Sequence, residues 1–132
     1  MQLLLGLDAE VAEWVSARTG TPFYQPVAAI GWADKDNNVA GGCVFHNYDH
    51  SNIDLAVAVT RPVTRGVIRA ICHYVFVQLG CQRATIRTRK SNKAACRGAQ
   101  KLGFKYECSL ERWFGSENGV QFKMTRDNCR WI

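Results

Sequence analysis

Residues 61–104 read RPVTRGVIRAICHYVFVQLG, then CQRATIRTRKSN, then KAACRGAQKLGF. Apolar side chains recur at Val67/Ile68, Ile71/Cys72, Val75/Phe76 and Leu79, the four-residue beat of one helix face. Arg65, Arg69 and His73 fall on the other side. Thr64 stands where an N-cap belongs and Gly80 where a left-handed C-terminal cap belongs. Arg83–Arg89 then alternates Ala84, Ile86 and Thr88 with Thr85, Arg87 and Arg89, the pattern of a half-buried strand. Ser91 and Asn92 offer caps for a second helix over Lys93–Leu102, with Ala95, Ala99 and Leu102 on its buried face and Gly103 as its stop.

The turn ahead of the first helix carries Arg61 and Arg65. Free backbone N–H groups at a helix start, the helix dipole and two guanidinium groups together suit phosphate. The alternative is that both arginines are simply solvated. Preceding the turn, Ile53–Val59 (IDLAVAV) is nearly continuously apolar, which predicts a central strand covered on both faces.

Helix, Gly80, strand, Asn92-x-x-Ala95-x-Arg97 and Leu102-Gly103-Phe104 resemble the core of the GNAT superfamily of N-acetyltransferases. The segment from His73 to Arg83 and the ending Met124-x-Arg126…Cys129-Arg130-Trp131 are similar to a short group found in phages and proteobacteria. The resemblance runs from about Asp8 to the C-terminus. It implies an α/β protein of α+β type: a mixed, mostly antiparallel, splayed sheet of six to seven strands with three to four helices. Residues 1–132 form a single domain. The implied activity is transfer of an acetyl group from acetyl-CoA, as cosubstrate, to a primary amine by direct attack. The backbone of Ala56, Val57 and Val59 would grip the pantetheine arm. Arg61, Val63, Thr64, Arg65 and Gly66 would hold the diphosphate. Asn92 would bond the pantetheine arm, and Arg97 with Lys93 would meet the 3′-phosphate or adenine; plain helix capping and solvated charge are the alternatives. Phe23 and Tyr24 would line the acceptor groove, or pack as ordinary aromatics. Two positions depart from the family pattern. The phosphate turn is degenerate in either register: read as Arg61–Gly66 it has threonine at the first glycine position, and read as Val59–Thr64 it has no glycine. Ala99 stands where many relatives carry a tyrosine acting as general acid. A GNAT-fold binding or inhibitor protein with little transfer activity is the alternative these departures raise.

Direct attack needs a deprotonated amine, a donor to the developing oxyanion and a proton source for the leaving thiolate, with proximity supplying much of the rate. Catalytic candidates cluster before and at the start of the central strand: Asp54, His50 and Tyr48, with His46 and Asp49 beside them. Histidine has the intrinsic pKa for a base, and Asp54 would work through water.

The remaining composition bounds the problem. With 132 residues the chain makes one domain with a real core. Net charge is +6, from 17 basic and 11 acidic residues. Much of the positive charge sits at 61–69 and 83–105, which fits a polyanionic coenzyme; nucleic acid is a less favoured partner. The six cysteines form no CxxC pair, the usage of free thiols in a cytoplasmic protein (host cytoplasm if phage-encoded). Cys43, His46, Asp49 and His50 invite a metal reading, but strand positions 43 and 46 face opposite ways, so no metal is expected. No apolar run approaches a membrane span, and MQLLLGL is read as an edge segment. The state expected is monomer or homodimer, with an amine-bearing small molecule or protein as acceptor.

In chain order, Asp8–Arg18 reads as a helix capped by Asp8 and closed by Gly20. Val27–Trp32 and Val39–Phe45 make a hairpin across ADKDNN, with Gly41 and Gly42 marking a bulge or close approach. A strand from Phe104 returns across GSENG as Val120–Met124, and the tail docks Trp131.

Overall fold

The computed structural model describes residues 1–132. Its elements are β1 (Gln2–Leu4), α1 (Asp8–Thr19), β2 (Ala28–Ala33), β3 (Val39–His46), β4 (Asn52–Val59), α2 (Arg65–His73), β5 (Arg83–Arg89), α3 (Lys93–Leu102), β6 (Lys105–Phe114) and β7 (Glu117–Thr125). The seven strands form one sheet in the order β1-β2-β3-β4-β5-β7-β6. Every neighbouring pair is antiparallel except β4 and β5. A parallel pair needs a crossover, and α2 supplies it. This is the mixed, mostly antiparallel sheet expected, with three helices.

Helix α1 covers one face of the β2–β4 half. Val11, Ala12 and Val15 pack on Ala29 and Val44. The helix comes close because Gly42 has no side chain: a Cβ there would lie 2.8 Å from methyls of both Val11 and Val15. The opposite face holds the larger core, where Val67, Ile68, Cys72, Val75 and Phe76 of the α2 segment meet Leu55, Ala84, Phe122 and Met124. Each such side chain contributes roughly 1.5–3 kcal/mol on burial. Gly41 serves that face, since Trp32 lies over it and a Cβ would sit 2.4 Å from the indole. The two glycines therefore mark close approach. The bulge lies next door, where Trp32 pairs with Gly41 but Ala33 pairs with Val39.

Local signals hold closely. Thr64 caps α2, accepting from Val67 N–H at 3.5 Å. Asn92 caps α3, accepting from Ala95 N–H at 3.1 Å, and Gly103 ends it with φ 106°. Three expectations change. Asp8 is the first helical residue rather than the cap; the cap position is Leu7, and Asp8 Oδ2 instead accepts from Ala29 N–H at 3.0 Å, tying α1 to β2. The long helix is not α-helical throughout: Tyr74–Gln78 is a π turn, and Arg126 from the tail donates to the Phe76 carbonyl inside it. The central strand is not covered along its whole length. Ile53 and Leu55 are buried, whereas Val57 and Val59 are 38% and 47% exposed. The tail docks as expected, with Trp131 Nε1 donating to Leu102 O at 2.8 Å.

Gly42→Ala should cost about 1–3 kcal/mol by overpacking against α1. Gly98→Ala, inside α3 with open space around it, should stabilise by about 0.5–1 kcal/mol. Urea denaturation of the two variants beside the parent measures both.

Candidate active site

Strands β4 and β5 pair only over Asn52↔Arg83 to Leu55↔Ile86. Beyond that point β4 continues as Ala56–Val59, bonded to β3 alone, and β5 continues as Arg87–Arg89, bonded to β7 alone. The sheet forks there. The β5-side edge of Ala56–Val59 has no strand partner, and along the same stretch the Val57 and Val59 side chains are exposed.

Because the strands are parallel, both run toward the open end of the fork, and the helix that follows each begins there. Ligands collect at such a place in α/β sheets. At the start of α2 the first intrahelical bond is Ile68 N–H to Thr64 O, 3.1 Å, and Thr64 Oγ takes Val67 N–H. The N–H groups of Arg65 and Gly66 precede these bonds and lie beyond the reach of intrahelical partners. Residues Arg61, Pro62, Thr64, Arg65 and Gly66 are exposed, and Val63 is half-buried. Gly66 has open space about it. The turn is therefore an accessible N–H cradle despite threonine at the first glycine position. Arg61 is drawn to the β2–β3 turn, 3.7 Å from Asp34. On the other prong, Asn92 spends its side-chain oxygen on the α3 cap, leaving its amide nitrogen as the free donor. Arg97, on the same helix, is exposed.

Below the fork lies a buried polar knot that the alternation of β4 signalled only through one polar residue. Asp54 Oδ2 accepts from Arg87 Nη1 at 2.6 Å and from Asn47 Nδ2 at 2.9 Å. Its Oδ1 accepts from Asn52 Nδ2 at 3.1 Å and from the Thr85 hydroxyl. Burial would raise the carboxyl's pKa. Hydrogen bonds from Thr85, Asn47 and Arg87 and the guanidinium charge outweigh it and hold Asp54 below its usual range. A carboxylate so engaged has no oxygen free to take a proton and little basicity. These contacts weigh against Asp54, a candidate base, and suit an anchoring role.

Arg87 continues the network, with Nε donating to Gln121 Oε1 at 2.9 Å and its guanidinium 5.0 Å from the Trp113 ring. Gln121 Nε2 donates to Glu107 at 2.7 Å. Arg83 also donates to Glu107, and Lys123 lies 3.6 Å from it. Arg83's hydrogen bond outweighs burial and, with Gln121 and the two positive charges, brings Glu107 down to about 2.

His46 pairs in register with Asp54, one strand from the fork. It is half-buried, stacks edge-on to Phe23 at 5.3 Å, and its Nδ1 is 3.3 Å from the Asn47 amide nitrogen. Burial lowers its pKa; Arg87 adds to that and Asp54 opposes it. The ring is therefore neutral near pH 7. His50 and Tyr48 sit in the β3–β4 loop, Tyr48 on the wall of the cavity that also holds His46. Their turn precedes Asn52, three residues or about 10 Å below the point where the strands part. His50 is exposed at φ 76°, and the Tyr48 hydroxyl reaches Leu79 O at 3.5 Å. Phe23 and Tyr24 do line a cavity of about 580 Å³ together with His46, Tyr48, Tyr74 and Trp113. Ala99 is buried in the core and offers no proton donor. No three His, Cys, Asp or Glu side chains converge as a metal site; Cys43 is buried inside β3.

Both anchored carboxylates titrate lower in the folded chain than in the unfolded one. They therefore stabilise the fold above the ordinary carboxylate range; for Glu107 that contribution is lost as pH falls from 4.5 toward about 2, and for Asp54 it begins to be lost as pH falls through 3.8. Asp54→Asn should cost on the order of 3 kcal/mol at pH 7, because it strands Arg87. The deficit should shrink by pH 3, as measured by urea denaturation at both pH values.

No curated protein matches the chain in sequence. Among solved structures, a mutant spermidine N-acetyltransferase SpeG from Vibrio cholerae superposes with TM-score 0.78 at 11% identity, over 100% of this chain and 98% of that one. The Vibrio cholerae SpeG solved with manganese ions gives 0.75 at 13% identity, over 94% and 92%. A GNAT-family acetyltransferase from Bacillus anthracis gives 0.64 at 14%, over 75% and 66%. At such identities these likenesses show the fold. The sequence profile of the Acetyltransferase (GNAT) domain matches residues 7–105, three-quarters of the chain, and with the forked sheet that match establishes that the protein belongs to the GNAT acetyltransferase family.

Proposed function

We propose that the protein transfers an acetyl group from acetyl-CoA to a primary amine on a small molecule. The observation that supports this most is the fork: a parallel pair that parts after Leu55↔Ile86, with unpaired backbone on one prong and a helix start at the head of each. Acetyl-CoA brings an already activated thioester. The chain's task is to hold it and to present an amine. The free N–H groups of Arg65 and Gly66 and the Arg65 guanidinium face the diphosphate, with Val63 and Thr64 shaping the turn. Arg61 contributes charge at longer range because Asp34 competes for it. The backbone of Ala56, Val57 and Val59 holds the pantetheine arm as an added half-strand, joined by the Asn92 amide nitrogen. Arg97 meets the 3′-phosphate.

The acceptor enters from the face that carries His46, Phe23, Tyr24 and Trp113. Of the groups there, neutral His46 is the one able to hold a proton near pH 7, directly or through a water; Nδ1 makes only a weak contact. Asp54 positions Arg87 and Asn47, while Tyr48 walls the cavity beside His46. The solved structures named as spermidine N-acetyltransferases support a small-molecule amine over a protein acceptor.

Calorimetry tests the cofactor half. Acetyl-CoA should bind with marked salt dependence, and Arg61→Ala with Arg65→Glu should abolish it; no binding at sub-millimolar ligand would refute the reading. His46→Gln should lower kcat on the order of 100-fold without changing cofactor affinity. It should also remove an acidic limb of the pH–rate profile lying below the ordinary histidine pKa. An unchanged profile would exclude His46.

A further inference from the structure

The cavity beside the fork has a composition that narrows the acceptor, given the transfer reading above. Its volume, about 580 Å³, suits a small organic molecule. Phe23, Tyr24, Tyr48, Tyr74 and Trp113 supply aromatic walls, and His46 is the one ionisable nitrogen at its edge. No aspartate, glutamate, lysine or arginine lines it.

Three acids of the adjoining strands are paired, while Glu111 of β6 is exposed and makes no ion pair. Asp54 is held by Arg87, Glu107 by Arg83 and Lys123, and Glu117 by Arg89. Each of the three paired carboxylates is thereby neutralised by a cation and offers no free charge to a ligand. On the flanking segments, Asp8 accepts from Ala29 N–H and Asp49 from Ser51 and Asn52 N–H. A polyamine carries several ammonium groups, each of which loses water on entry and needs a carboxylate in return. Here it would find aromatic faces, which offset only part of that loss, and no carboxylate in the cavity wall. An amine on a flat apolar body meets the opposite conditions. Ring burial drives binding, and the apolar walls lower the ammonium pKa. The amine is then presented as the free base that attack requires.

We propose that the acceptor pocket is built for an arylalkylamine-type primary amine and excludes polyamines. The reaction is balanced without a further reagent. The amine nitrogen forms a bond to the acetyl carbon, the carbon–sulfur bond breaks, the nitrogen's proton passes to His46 or water, and the thiolate leaves to be protonated by solvent.

The test is calorimetry of the full-length protein saturated with coenzyme A, titrated with 2-phenylethylamine and, separately, with spermidine. Phenylethylamine should bind at least about tenfold more tightly than spermidine. Trp113→Ala and Tyr24→Ala, both at exposed positions, should each weaken it several-fold while leaving the melting temperature within a few degrees. Equal or tighter binding of spermidine overturns the proposal. So does absence of binding by phenylethylamine, or binding that neither aromatic substitution alters. A parallel assay with acetyl-CoA separates this from the transfer reading: phenylethylamine bound at that pocket but never acetylated sustains the pocket's chemistry and refutes transfer.

Discussion

The Asp54–Arg87 pair sits where the sheet changes character. Below it β4 and β5 are joined by a ladder; above it they part. A single carboxylate under the central strand gathers donors from the β3–β4 loop through Asn47, from β4 itself through Asn52, and from β5 through Thr85 and Arg87. A buried charge is costly unless it is fully engaged, and this one is. The knot thereby sets how far apart the prongs stand without any backbone bond across the gap. It also takes Arg87 out of circulation, leaving that guanidinium as a fixed surface between Gln121 and the Trp113 ring rather than a mobile cation.

From that joint the rest of the architecture follows. Parallel pairing obliges α2 to cross over, so its start and that of α3 come to the same end of the sheet. The N–H groups of Arg65 and Gly66 at the start of α2 and the unpaired edge of β4 both face that open end. On the other side of the sheet, α1 presses down on Gly42 and leaves the lower part of the face open between Phe23, His46 and Trp113. The exposed helix start at Thr64–Gly66 and the cavity lined by Phe23, His46 and Trp113 are the two open features of this sheet that the proposed transfer uses.

Much of this was legible in the residues. Helix α3 has the limits its caps announce, because Asn92 and Gly103 act locally and need no tertiary help. The period-two alternation of Arg83–Arg89 likewise gives β5 its bounds. What escaped has a common cause. The apolar run of β4 reads as buried strand, yet Val57 and Val59 are open, since hydrophobicity records that a surface is to be covered and not whether protein or ligand covers it. The role of Asp54 depends on partners 7 and 31–33 residues away in sequence, and no local pattern carries that. Asp8 looked like a cap and became a cross-link to β2 for the same reason. Trp113, an alternating residue in a polar strand, drew no notice because its importance lies in a bend of β6 with Arg112 at φ 53°. The π turn after His73 had no signal in the apolar beat, which a wider turn barely disturbs.

The indole of Trp32 fills the space where Gly41 would otherwise project a Cβ. Neither residue is free to change by itself: a methyl at 41 collides with the ring, and a smaller residue at 32 opens a void beneath β3. Across relatives the two columns should drift as a couple, a bulky aromatic with glycine or a slimmer residue with alanine, so that this corner of the sheet keeps a record of paired substitution that neither position would reveal when inspected singly.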